Sequence, residues 1–432
     1  MRLSARTIET CRRAVAGTVF LLSAGSAALA ADPAAVVKNY ADIAQAGYED
    51  ALKAGKTLQQ AVGTFLKTPT EDNLKAAREA WLTARVPYMQ TEPYRFGNKI
   101  VDDWEGKVNS WPLDEGLIDY VGEAYGTESD ENQLYVANVI ANKKLKLGGK
   151  TIDATKITAP LLQDKLQEAG GVEANVATGY HAVEFLLWGQ DLNGTEAGAG
   201  KRPATDYDLK NCTGKNCERR AEYLRVVTDL LIKDLTWMAA QWGPNGKARK
   251  TVTADPQKGV VALFTGLGSL SYGELAGERM KLGLLIHDPE EEHDCFSDNT
   301  HNSHYYNIVG MQNVYLGSYK RTDGSVVSGP SASDLVKDAS ADADKSLRAA
   351  IEATVAAATT MKQRAETKER YDQMLGEGNT EGNATVQAVI DKLLDQTKSI
   401  EKGVAALKLK AIEWEGSDSL DNPNKVLSKK SG

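Results

Sequence analysis

Residues 179–189 read GYHAVEFLLWG, and the reading of this stretch decides the fold. Placed on a helix, Tyr180, Val183, Phe185, Leu186, Leu187 and Trp188, with Val176 just before them, cover most of the circumference. A helix that is apolar on every side sits inside a bundle, not on its surface. His181 and Glu184 are then polar groups in an apolar element, and their spacing of three puts them on one face. A buried carboxylate without a partner is costly or shifts its pKa. Two arrangements satisfy the pair. One is a metal ion, since Glu and His at i, i+3 is the spacing of helical di-iron sites. The other is a His–Glu hydrogen bond that locks two helices together. Gly179 leaves room for another backbone or a ligand to approach closely.

Outward from this stretch the pattern stays helical. Residues 34–66 are rich in Ala, Val, Leu and Lys, and 71–90 carry Leu74, Ala77, Trp81 and Leu82 at a helical period. Helices are also predicted over 159–169 and 171–189, split by Gly170-Gly171. Residues 217–241 follow, with Leu224, Val227, Leu231, Leu235 and Met238 on one stripe. Asp255-Pro256 starts a helix that runs to about Ile286. Long Ala- and Lys-rich helices fill 331–375 and 384–412. KLKLGGKTID (144–153) predicts a small β-hairpin. RTDGSVVSGPSAS (321–333) reads as a linker. The architecture expected is all-α, with a bundle over about 31–320 and another over about 331–415.

Residues 1–30 have the three parts of a secretory signal peptide. Arg2, Arg6, Arg12 and Arg13 form a basic start, Ala14–Leu22 an apolar run, and Ala28-Leu29-Ala30 a small-residue cleavage site. The apolar run is too short to span a bilayer. Export to the periplasm or cell surface is expected, and no later segment is apolar enough to cross a membrane. The four arginines and Glu9 give the segment a net +3, so the total of −8 leaves −11 for the remainder. Such a surface argues against nucleic acid, whose backbone needs a basic face. In an oxidising compartment Cys212 and Cys217 of NCTGKNC can close a small disulfide loop. Cys295 is left over, as a free buried thiol or a metal ligand.

Four of the five histidines fall between 287 and 304, in HDPEEEHDCFSDNTHNSH. The same run carries Asp288, Glu290, Glu291, Glu292, Asp294 and Asp298. Imidazole beside carboxylate is the donor set for iron, zinc or copper. His287 and Asp288 end the long helix, Pro289 stops it, and EEEHD reads as a solvated acidic turn. Ser297, Asp298 and Asn299 are caps for a new helix, on which His301, His304 and Tyr305 share a face. HExxH and GxSxG are absent from the sequence, which removes the simplest metalloprotease and serine-hydrolase readings. Residues 83–121 mix Arg85, Tyr88, Glu92, Trp104, Trp111 and Asp114 without a period. They read as a structural lid or as an aromatic, charged cleft wall.

GYHAVE fits a GxHxxE motif, and together with WPLDEGLIDYV and HDCFSDNTHN it resembles the imelysin family, the M75 peptidase group, in its iron-regulated protein A branch. That resemblance spans essentially the whole exported chain. It implies two helical bundles with pseudo-two-fold similarity and a site in the cleft between them. Relatives are surface or periplasmic proteins linked to iron uptake, and some have been called insulin-cleaving proteases. The motif residues here are Gly179, His181 and Glu184. His181, Glu184 and His301 are the metal ligands expected, iron first and zinc second. Arg85, Glu92, Asp114, Asn299 and Thr300 are expected around them. Three functions follow. The leading one is a protein that binds iron or an iron chelate for uptake, passing it to outer-membrane or other iron-uptake proteins. A second is a metallopeptidase in which Glu184 activates water. The third is a non-catalytic module for a protein or polysaccharide, resting on the aromatic run 94–111.

Overall fold

A computed structural model of the chain describes residues 31–410 and 412–430. The signal segment read over 1–30 lies outside the described residues. Helix α1 (Pro33–Lys67) starts on Asp32, whose side chain accepts from the Ala34 N–H, and has proline in its first turn. Helix α2 (Glu71–Met89) is capped by Thr70, with Glu71 and Asp72 at the positive end of its dipole. Its stripe of Leu74, Ala77, Trp81, Ala84, Arg85 and Tyr88 is buried.

Every residue of α3 (Gly179–Trp188) is buried, as an all-apolar surface requires. The helix is shorter than the 171–189 expected. Thr178 is extended and Gly179 has φ +83°, so the helix cannot begin earlier. The helix read over 159–169 is likewise only a turn at Ala159–Leu161 and a widened one at Leu162–Leu166. Glu168, Gly170 and Gly171 all adopt positive φ and end it. Helix α4 (Cys217–Trp242) packs with α1 and α3, and α1 with α2.

Helix α5 starts at Pro256 behind the Asp255 cap. Its turns widen to π-helical geometry over Leu270–Lys281 before closing as Leu282–Ile286. It packs with α6 (Thr300–Leu316) and α8 (Thr380–Ala406), which flanks α7 (Ala341–Thr367). The two groups of helices meet where α6 lies on α2 and α5 on α1.

Among the described residues, strands occur only in two hairpins. The predicted one is β1 (Lys144–Leu147) with β2 (Lys150–Asp153) around Gly148-Gly149. The other, β3 (Ser318–Lys320) with β4 (Val326–Ser328), falls partly in the stretch read as a linker. It is tied to α1 because Asp50 accepts from the Tyr319 hydroxyl at 3.0 Å and the Arg321 guanidinium at 2.9 Å. Cys212 and Cys217 form the expected disulfide, and Cys295 is a free, buried thiol. No described helix is long and apolar enough to cross a membrane.

Candidate metal centre

The centre begins with α3. A Cβ on Gly179 would sit 2.5 Å from the Val108 carbonyl oxygen, so the close approach that the glycine permits is made by backbone. The Tyr180 N–H donates to that carbonyl at 2.7 Å, fixing the helix start against residues 105–111. One turn on, His181 and Glu184 are both fully buried. His181 Nδ1 and Glu184 Oε2 are 3.0 Å apart. Oε1 accepts from the Ser297 N–H at 3.0 Å and the Ser297 hydroxyl at 2.6 Å. Burial pushes the Glu184 carboxyl well up, with Asp294 adding repulsion, and pushes the His181 imidazole well down, with Arg85 adding to it. Burial disfavours an imidazolium–carboxylate pair, while the two Ser297 donors favour the ionised form of Glu184, which would place the ring proton on Nδ1. Nε2 then carries a lone pair, and it has no hydrogen-bond partner.

What faces His181 is His293, at 4.8 Å between ring centroids, followed by Asp294. One possible ligand atom from each of His181, His293 and Asp294 lies within 4.8 Å of the others. Metal–nitrogen bonds of about 2.0–2.1 Å need donors no more than roughly 4 Å apart, so small side-chain shifts suffice. Asn109 Nδ2 reaches both His293 Nε2 and Glu105 Oε1, each at 3.1 Å. Burial and the nearby Arg279 hold His293 neutral. Burial opposes charge on Asp294, but Arg85 outweighs it and keeps the carboxyl below its usual range.

Arg85 is the counter-charge, donating to Asp294 Oδ1 at 2.6 Å and to Asn109 Oδ1 at 2.5 Å. Its guanidinium lies between 5.2 and 5.7 Å from the ring centroids of Trp81, Tyr88 and Tyr180. Ser303 and Asn299 donate to Asp294 Oδ2 at 2.5 and 2.8 Å. A cavity of about 610 Å³ leads in to His293 past Trp111 and the carboxylates Glu105, Glu274, Glu278 and Glu291. Another cavity, of about 760 Å³, lies between Leu282 and Ser417 and has no histidine in its wall.

The arrangement can be compared with known proteins. The model of the imelysin family, Peptidase M75, matches residues 44–400. The chain belongs to the imelysin family. Iron-regulated protein A of Synechococcus elongatus is 44% identical over 66 residues, a match that spans 15% of this chain and 18% of that protein. An iron-regulated protein A precursor from Parabacteroides distasonis shares the fold with a TM-score of 0.62 at 18% identity, over 87% of this chain and 95% of its own. An imelysin-like protein from Psychrobacter arcticum does so with a TM-score of 0.53 at 15% identity, over 89% of this chain and 100% of its own.

Within the imelysin motif, the structure puts Glu184 behind His181, where it orients the ring and does not itself belong to the donor group. His301 stands apart from that group. Its Nε2 contacts the Asn302 amide at 3.0 Å. Burial keeps both His301 and His304 neutral, each with its pKa lowered to about 3. His304 rests edge-on against Tyr371. Arg85 and Asn299 buttress Asp294, and Thr300 accepts from the Asp294 N–H at 2.9 Å. Glu92 pairs instead with Arg279, at 2.8 Å. Asp114 is hydrogen-bonded to Asn132 and has no contact with the centre among its hydrogen bonds. The sequence reading missed His293 and Asp294, which it assigned to a solvated turn; both are buried. The signal for them was Arg85, a cation on the apolar stripe of α2 that demands a buried anion.

Proposed function

We propose that this imelysin-family chain is an exported iron-binding protein, and that His181, His293 and Asp294 hold the ion. The observation that carries the reading is the buried, unpartnered Nε2 of His181, on a ring that packs against His293 in a group closed by the Asp294 carboxylate. Two histidines and one carboxylate, with positions left open, is a donor set of non-haem iron, and imidazole also suits zinc. Glu184 fixes the His181 tautomer, as partners behind metal-bound histidines do. Arg85 holds Asp294 ionised and positioned. The cavity mouth carries more carboxylates than cations, since Arg95 and Arg279 pair with Glu105 and Glu274 while Glu278 and Glu291 remain beside them, and it leaves room for water or the oxygens of a small chelate beside His293. The relatives' name, iron-regulated protein A, agrees with an iron-related role, and the N-terminal signal reading puts that role in the periplasm. Handover to other iron-uptake proteins is the corresponding partner proposal. Both Glu184 oxygens are engaged, which leaves none to activate water and favours binding over proteolysis.

The test is anaerobic calorimetric titration with Fe(II), repeated with Zn(II). The wild-type protein takes up one equivalent. His181→Ala and His293→Ala lose it while keeping the helical circular dichroism, and His301→Ala retains it. Unchanged affinity in His181→Ala or His293→Ala overturns the assignment, as does loss in His301→Ala.

A further inference from the structure

A second group of carboxylates lies apart from the histidines. Asp191 follows α3, Asp298 precedes α6, and Asp372 sits in the short helix Tyr371–Leu375 between α7 and α8. One oxygen from each lies within 4.8 Å of the others. Asp372 is fully buried, and neither of its carboxylate oxygens makes a well-formed hydrogen bond, although the N–H groups of Asp372 and Gln373 are near. Oδ1 of Asp298 is buried and unpartnered too. Asp191 is only half-buried and accepts from the Asn193 N–H at 2.9 Å, so the group has a solvent side. Beside it stands Glu292, fully buried, with Asp372 and Asp298 as its foremost charged neighbours. Both of its oxygens lack a hydrogen bond, although the Thr300 hydroxyl is near. Arg370 is the cation near Asp298, and it makes no ion pair with any of the four within 4 Å.

More than nine in ten buried polar groups find a partner, roughly speaking, and an unpaired buried carboxylate is among the costliest exceptions. Here such groups converge from three distant parts of the chain. We propose that Asp191, Asp298 and Asp372 bind a divalent cation of the calcium class, with Glu292 in reserve beside it, as a site separate from the histidine centre. Oxygen-only donors select hard cations over iron or zinc. Calcium–oxygen bonds of about 2.4 Å allow ligands up to about 4.8 Å apart, and one oxygen from each of the three carboxylates lies within that distance of the others. Magnesium, which demands strict octahedral geometry and keeps several of its waters, suits a cluster of buried protein carboxylates less well. The bound ion ties the loop after α3 to the start of α6 and to the turn between α7 and α8.

The test is thermal unfolding of the EDTA-treated mature protein near neutral pH, with and without millimolar calcium chloride, beside calorimetric titration with calcium chloride alone. Binding at about a hundred times Kd should raise Tm by about 3–5 °C. Asp372→Asn and Asp298→Asn should lose that rise. Without calcium, Asp372→Asn should melt at or above the wild-type temperature, because repulsion is relieved; this shows that the variant folds. His181→Ala should keep the calcium response, separating this site from the iron centre. The proposal falls if calcium neither binds nor stabilises the wild type, if Asp372→Asn responds as the wild type does, or if His181→Ala abolishes the response.

Discussion

Replacing Glu184 by Gln changes one oxygen for an NH₂ and leaves the shape intact, so it isolates what the carboxylate does for His181. In the wild type, Oε1 takes two donors from Ser297 and Oε2 faces His181 Nδ1. Glutamine has one acceptor oxygen for these two faces. If its oxygen stays with Ser297, its NH₂ meets Nδ1. The ring proton must then move to Nε2, and the lone pair there is lost. If the amide flips, Nδ1–H keeps its acceptor, but two buried Ser297 donors face an NH₂. Leaving a buried donor unpaired costs about 1–3 kcal/mol, so the first arrangement prevails. Losing a partner behind a metal-bound histidine typically weakens metal affinity by about 10–100-fold, which is about 1.4–2.7 kcal/mol.

Fe(II) and Zn(II) titrations of Glu184→Gln should show that loss at unchanged stoichiometry. Nitrogen-15 spectra of the metal-free protein should show the His181 proton shifted from Nδ1 to Nε2. Affinity within about twofold of wild type, with the tautomer still on Nδ1, would refute the orienting role of Glu184. That role fails differently if stoichiometry drops to zero with the tautomer unmoved, since Glu184 would then be a ligand, as the HxxE spacing alone suggested.

Gly179→Ala should destabilise the protein by more than about 3 kcal/mol in urea unfolding, because its Cβ meets the Val108 carbonyl backbone at 2.5 Å and φ is +83°; a loss below about 1 kcal/mol would refute the fit. Glu115 is buried, and burial pushes its carboxyl from 4.5 to about 7. A folded pKa above the unfolded one means stability is held below pH 4.5 and lost as pH rises to about 7. Glu115→Gln should therefore stabilise the protein by about 3 kcal/mol more above this window than below it; a difference that does not change with pH would be the contrary result.

The long helices were legible because their apolar period persists over many turns. The same logic overran α3, since nothing in VEANVATGY announces that Thr178 is extended. The HxxE pair was legible as a buried polar couple in an apolar helix, and its partner was not. His301 is expected at the centre because Asn299-Thr300-His301 matches the family pattern and helical spacing puts it beside His304 and Tyr305. His293 belongs to a short segment with no period, and its neighbours Glu290, Glu291 and Glu292 look solvated by composition. The clue lay 208 positions earlier in Arg85, whose burial between Trp81, Tyr88 and Tyr180 makes sense only with an anion such as Asp294.

The irregularity of residues 287–299 is what lets their side chains reach both proposed centres. A regular helix would repeat its face every three or four residues and send neighbouring side chains to one bundle or to solvent. Here His287 and Asp298 take left-handed backbone, and Glu292 is extended between them. In extended backbone successive side chains point to opposite sides. Glu292 accordingly faces Asp298 and Asp372, while the next residue, His293, faces His181. Asp294 turns to Arg85, and the Ser297 donors come back to Glu184. A cation held by the carboxylates would therefore fix one side of the same few residues whose other side forms the histidine centre. If the carboxylates hold calcium, removing it should then loosen His293 and Asp294 as well, although the two proposed sites share no ligand.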